Sequence, residues 1–172
     1  NWACFDIEES SSSIDVYLRN KKDFPITSTI RIKAQNLKSN DHLEQTRVLK
    51  HAGRIKVLSL TRIDQRKPYR INETFNWTPG NMNAVHDDNF RYAMPYSKES
   101  YFRVVQGFGG GYSHRGASKY ALDFDMPVGT PIHAARGGVV IDLTEHNTRG
   151  GASRRYARYA NFVTVLHDDG TT

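Results

Sequence analysis

The residues of this chain best suited to chemistry lie between Gln106 and Asp125. A glycine-rich stretch, Gln106-Gly-Phe-Gly-Gly-Gly-Tyr-Ser-His114, runs into Arg115-Gly-Ala-Ser-Lys-Tyr-Ala-Leu-Asp123-Phe-Asp125. A histidine in a glycine-rich loop is thus followed by a carboxylate inside an apolar run. Strand alternation points Leu122 and Phe124 to one face and Asp123 to the other, and Asp125 shares the face of Asp123. Imidazole and carboxylate are typical ligands of a catalytic zinc, which takes three protein ligands and leaves the fourth position to water. His114 and Asp123 would supply two of the three. By residue type alone, a loop histidine and a water-facing strand aspartate are also ordinary surface features.

The wider segment adds a pattern. His114, Gly116 and Asp123 are followed by Pro127-Val128-Gly129-Thr130 and by Ala135-Arg136-Gly137-Gly138-Val139. This resembles the lysostaphin-like zinc endopeptidases (the LytM or M23 peptidase family), whose signature is a His, a Gly and an Asp, then Pro-x-Gly-Thr and Ala-x-x-Gly-x-Val. In that family the aspartate ligand stands four residues before the proline, which selects Asp123 as the metal ligand and leaves Asp125 as the runner-up. His114 and Asp123 are nine residues apart, where the family commonly has four. The resemblance therefore implies an insertion around Ala117 to Tyr120, which a loop tolerates at little cost. Further on, Asn161-Phe-Val-Thr-Val-Leu-His167-Asp-Asp-Gly170 resembles a family strand whose histidine belongs to the scaffold.

The resemblance also implies a Tyr-x-His-Leu segment bearing one catalytic histidine, and a His-Leu-His segment bearing a second one and the third zinc ligand. Nothing in residues 1–172 matches either. The expectation is that no catalytic residue lies within this chain and that these histidines lie beyond Thr172. The 172 residues alone would then be an incomplete and inactive form. What the resemblance implies for the complete protein is a zinc cofactor, peptidoglycan peptides as substrate, and a periplasmic or extracellular place in a bacterial envelope. An alternative is a non-catalytic LytM-like module that binds the cell wall or regulates another hydrolase. The presence of both His114 and Asp123 argues against it, because degenerate members commonly lose these ligands. A third is an unrelated β-sandwich adhesion or carbohydrate-binding protein, for which the first ninety or so residues would suffice.

Two other histidines could be put forward as a substitute third ligand, and the setting of neither supports it. His133, after the Gly-Thr-Pro turn, reads as a half-buried strand residue, and His146 sits in a polar loop with Glu145 and Asn147. The basic run from Arg149 to Arg158, with Arg154, Arg155, Arg158, Tyr156 and Tyr159, suits either an anionic or glycan partner or a solvated hairpin.

The elements that must position these residues read as strands. Apolar alternation occurs at Ile14, Val16 and Leu18, at Ile30 and Ile32, and at Ile55, Val57, Leu58 and Leu60, each with one buried face. No helical periodicity of ten residues or more interrupts them. The expected fold is all-β: an N-terminal β-sandwich over residues 1–95, then a partial antiparallel sheet of the lysostaphin-like catalytic type over 96–172. Gln65 to Asn89, with Pro68, Pro79, Gly80 and several asparagines, is expected to be an irregular connection. In the second half, strands are expected at Phe102–Val105, Tyr120–Phe124, Gly138–Leu143 and Asn161–Leu166.

Composition excludes more than it assigns. A single cysteine, Cys4, rules out both an intrachain disulfide and a cysteine-rich zinc site. No run reaches the roughly 20 apolar residues of a membrane helix. The net charge of +6 favours polyanions, and the partner expected here is peptidoglycan peptide rather than nucleic acid.

Overall fold

A computed structural model of the chain describes residues 1–151 and 153–172, and the side chains of these apart from Ala117 and Arg154. Among the described residues the fold is all-β, with antiparallel strands and only two short 3-10 segments, Gly116–Ser118 and Arg154–Tyr159. No helix is long and apolar enough to cross a membrane. The chain divides into two compact units, one of Asn1–Asp87 with Gly138–Thr172, the other of Asp88–Gly137.

In the first unit, alternation sets the strands. β1 (Ala3–Glu9), β2 (Ile14–Asn20), β6 (Gly53–Arg62) and β4 (Leu37–Lys38) form one sheet in the order β1-β2-β6-β4. β5 (Glu44–Leu49), β3 (Ile26–Gln35) and β7 (Arg70–Pro79) form a second, in the order β5-β3-β7. Ile14, Val16 and Leu18 of β2, Ile30 and Ile32 of β3, Leu49 of β5 and Leu60 of β6 meet in one buried cluster, completed by Phe5, Ile71 and Phe75. The two sheets thus pack as a sandwich around apolar side chains that alternate inward. Val57 and Leu58 are adjacent yet both buried. The pairing of β2 with β6 explains this: the register passes from Val16 opposite Leu58 to Tyr17 opposite Lys56, leaving Val57 as the extra residue of a bulge.

The expectation of an irregular Gln65–Asn89 is corrected. Its middle is β7, which pairs along its whole length with β3, from Ile26 opposite Pro79 to Gln35 opposite Arg70. Ile71, Phe75 and Trp77 alternate along β7 and are half-buried, a pattern masked in the sequence by its flanking prolines and asparagines. Pro79 closes the strand at its end, where a missing backbone donor does least harm.

The same unit holds a separate hairpin of β10 (Val139–Thr144) and β11 (Phe162–Leu166). The backbone N–H of Asn81 donates to the carbonyl of Gly170, at 2.9 Å, in the turn after β11.

The second unit is mostly loop. β8 (Val104–Gln106) pairs with β9 (Asp123–Phe124) across a bulge. Tyr96 packs edge-to-face on Phe102 and Phe124, at 4.9 and 5.6 Å. Backbone bonds from Ala93 to Ala135 and from His133 to Pro95 hold the flanking segments together. The strand expected over Tyr120–Phe124 is shorter than expected, because the preceding residues turn through Gly116–Ser118 and Ala121. His133 is exposed and lies outside any strand, which corrects its reading as a half-buried strand residue.

Candidate metal centre

β8 and β9 carry the two halves of the site. Val104 lies opposite Phe124, and the bulge brings Gln106 opposite Asp123, so the glycine loop leaves β8 directly beside the start of β9. That loop folds back on itself through bonds from the Gly110 N–H to the Gly107 carbonyl, 3.1 Å, and from the His114 N–H to the Gly110 carbonyl, 3.2 Å. The Gln106 side chain lies across the loop, donating through Nε2 to Ser113 Oγ at 2.8 Å. A Cβ on Gly110 would stand 2.4 Å from Gln106 Cγ and 3.1 Å from the Gly107 oxygen, so this fold of the loop requires glycine there.

The loop delivers His114 to the interior, with 3% of its surface exposed. Its Nδ1 lies 2.8 Å from the Gly107 carbonyl oxygen, and its Nε2 lies 3.1 Å from Asp123 Oδ1. A carbonyl oxygen only accepts, so Nδ1 carries the proton and donates to it. Nε2 then faces a carboxylate oxygen with a lone pair of its own. Two lone pairs at that distance repel unless a positive charge lies between them, either a proton on Nε2 or a metal cation. Asp123 is open on its other side, with about half of its side chain exposed (49%).

The donor set fits zinc as far as two ligands go. Tetrahedral coordination with bonds of about 2.1 Å puts neighbouring donor atoms about 3.4 Å apart, close to the 3.1 Å found here. A backbone carbonyl on the far ring nitrogen is the support that zinc-bound histidines commonly have, because it fixes both tautomer and ring orientation. Among the described residues no group of three His, Cys, Asp or Glu side chains converges, and His114 and Asp123 stand as a candidate pair.

The remaining candidates have other surroundings. Asp125 ion-pairs with Arg103 at 3.3 Å on the exposed surface, and its N–H bonds to the Arg103 carbonyl at 2.9 Å. His133 is exposed. His146 is exposed in the loop between β10 and β11, and the His167 carbonyl accepts from the Gly170 N–H in the turn after β11. Sequence reasoning missed the Gly107 carbonyl as the partner that orients His114, since a backbone acceptor leaves no mark in the side-chain sequence. It also missed Gln106 as the lid on the glycine loop. No family model, no curated protein and no solved structure matches this chain.

Proposed function

We propose that the protein is a zinc-dependent endopeptidase of the lysostaphin-like (LytM or M23) type that hydrolyses peptide bonds of bacterial cell-wall peptidoglycan in the periplasm or outside the cell. The observation that carries this reading is the buried His114, its Nδ1 held by the Gly107 carbonyl and its Nε2 turned to Asp123 at 3.1 Å, at the positions where the sequence resembles that family. His114 and Asp123 are two of the three protein ligands. Residues 1–172 show no match to the family segments that carry the third ligand and the histidines that move protons and stabilise the oxyanion.

Zinc, when bound, supplies Lewis acidity and a nucleophile at neutral pH for attack on the peptide carbonyl. The chain's own contribution is positional. The Gly107 carbonyl keeps the His114 lone pair aimed at the metal position, and the burial of His114 keeps water from competing for that nitrogen. Asp123, half open, brings a negative charge that offsets part of the dication.

The test uses protein expressed from its complete reading frame, incubated with purified peptidoglycan and assayed for released peptide ends, with and without a zinc chelator. Release that stops on chelation and returns with zinc is expected, and His114→Ala should abolish both zinc retention and release while circular dichroism stays unchanged. Chelator-insensitive release would overturn the reading. Firm binding to peptidoglycan with no release by zinc-loaded protein would replace it with the non-catalytic wall-binding module.

A further inference from the structure

The loop between β10 and β11 is set up like a binding site that the zinc reading does not use. Its base is closed by the Asn161 side chain: Oδ1 accepts from the Asn147 N–H and Nδ2 donates to the Asn147 carbonyl, both at 3.0 Å. Above that clamp, Arg149, Arg155 and Arg158 line one concavity of about 500 Å³ with Tyr156 and Tyr159. Each guanidinium lies over a tyrosine ring: Arg155 over Tyr156 at 4.9 Å, Arg158 over Tyr159 at 4.9 Å, and Arg149 over Tyr159 at 5.7 Å. A Cβ on Gly151 would stand 2.7 Å from Tyr156 Cε2, so the glycine is what lets that ring lie against the backbone.

Two features separate this from a solvated hairpin. First, no carboxylate lines the concavity, and among the described residues none of the three arginines has an ion-pair partner in the protein. The only acid between Thr144 and Asn161 is Glu145. Three like charges converging without a counter-charge repel one another, and the repulsion is relieved when an anion enters. Second, each guanidinium is held beside a tyrosine ring, and Arg155 also donates through Nη2 to the Tyr156 hydroxyl at 3.2 Å, which orients the group while its remaining N–H donors can meet the oxygens of a phosphate. Lysine-type charge attraction needs neither the rings nor the glycine.

We propose that this concavity is an anion site for phosphate groups, and that it takes them from a phosphoanhydride-linked chain, linear polyphosphate, rather than as the free ion. The span argues for the polymer: three separate guanidiniums spread around a concavity of about 500 Å³ enclose more space than one tetrahedral phosphate fills, whereas successive phosphates of a chain would each meet one. The site is independent of His114 and Asp123, so it stands or falls apart from the peptidase reading.

The experiment is calorimetric titration of the intact chain with linear polyphosphate, inorganic phosphate, polyglutamate and a single-stranded oligonucleotide, over a range of salt. Polyphosphate is expected to bind, with inorganic phosphate and polyglutamate at least tenfold weaker. Arg149→Ala/Arg155→Ala/Arg158→Ala should lower the slope of log K against log salt by roughly 2, as about three phosphate contacts at ~0.7 each require. Lys33→Ala/Lys38→Ala/Lys50→Ala removes the same charge from elsewhere and should leave the affinity within about twofold of the unaltered chain. Arg149→Lys/Arg155→Lys/Arg158→Lys keeps the charge and the fold but not the fork, and should lose several-fold in affinity. Equal losses in the lysine control and the arginine-to-alanine variant would overturn the site and leave only general attraction by net charge. Inorganic phosphate binding as tightly as polyphosphate would assign the site to the free ion instead. Tighter binding of the oligonucleotide, lost in Tyr156→Ala/Tyr159→Ala, would mean that bases stack on the rings and would overturn the proposal in favour of nucleic acid.

Discussion

At the scale of single residues, the two aspartates of β9 and its edge sit only two positions apart but in different surroundings. Asp123 faces the buried Nε2 of His114, and Asp125 faces Arg103 across an exposed surface. The Arg103 pair is worth less than about 1 kcal/mol, because both charges are largely solvated and compete with water and salt. Removing it therefore changes little. Removing Asp123 takes away the only carboxylate that faces His114 among the described residues. Asp123→Ala is expected to lower zinc affinity by at least about tenfold, while Asp125→Ala stays within about twofold of the parent protein. Competition for zinc against a coloured chelator measures both, and the reverse order would show that the metal uses Asp125. In the sequence, the proline spacing alone separated these two residues. Alternation assigned them the same face, and it could not show that Arg103 claims one of them.

At the scale of elements, the strands legible in advance were those whose apolar residues recur mainly at every second position. β2 is the clearest case: Ile14, Val16, Leu18 and Asn20 are all buried while Asp15, Tyr17 and Arg19 are not. β7 was misread because Asn72, Asn76 and the flanking prolines carry strong turn signals, and the inward Ile71, Phe75 and Trp77 were outweighed; a ten-residue pairing with β3 overrides such local preference. The aspartate of the site was legible only as a member of a strand, and that strand is two residues long. Gly138, part of the pattern Ala135-x-x-Gly138, has a physical reason: a Cβ there would lie against the Leu166 carbonyl of β11.

Burial also ranks what substitution costs. Leu18 is fully buried in the sandwich core, so Leu18→Ala should lose about 3 kcal/mol of stability, the transfer of its methyl groups plus the cavity left behind. Asn20 is buried at the strand end, with Nδ2 donating to the carbonyls of Phe24 and Leu49 at 2.8 and 3.0 Å and Oδ1 accepting from the Lys22 N–H at 2.8 Å. Asn20→Ala leaves these buried groups unpaired and should cost about 2 kcal/mol. Val140→Ala, at an exposed position of β10, should fall within about 0.5 kcal/mol of the parent. Urea midpoints measured at one pH rank the three. A Val140 variant as damaged as the Leu18 variant would mean that the β10 surface is covered in solution.

At the scale of the whole molecule, the net charge of +6 masks a sandwich surface where charges are paired. Asp6 bonds Arg19 at 2.9 Å and lies 3.7 Å from Arg54. Asp15 accepts from Ser59 at 2.7 Å and pairs with Lys56 at 3.4 Å, Arg31 pairs with Glu44 at 2.9 Å, and Tyr69 donates to Glu9 at 2.7 Å. These solvent-screened contacts each add a small pH-dependent increment to stability. The bond from Ser59 holds the Asp15 carboxyl below its ordinary range, with Lys56 adding to it, and the bond from Arg31 does the same for Glu44. Both carboxylates hold protons more weakly folded than unfolded. Their contribution is present above the ordinary carboxylate range and disappears as pH falls through the lowered values. Tyr69 runs the other way: its bond to Glu9 raises its pKa above 10.0, so its contribution is present below the ordinary tyrosine value and disappears as pH rises through the raised one. The sandwich should therefore be most stable across the neutral range and lose stability at both ends. Urea midpoints followed from acid to alkaline pH test this with two variants. Asp15→Asn should flatten the acid limb and leave the alkaline limb unchanged, while Tyr69→Phe should do the opposite. If both variants ran parallel to the unaltered protein at every pH, these pairs would not control the curve, and the acid limb would have to come from the mutual repulsion of the unneutralised positive charges instead.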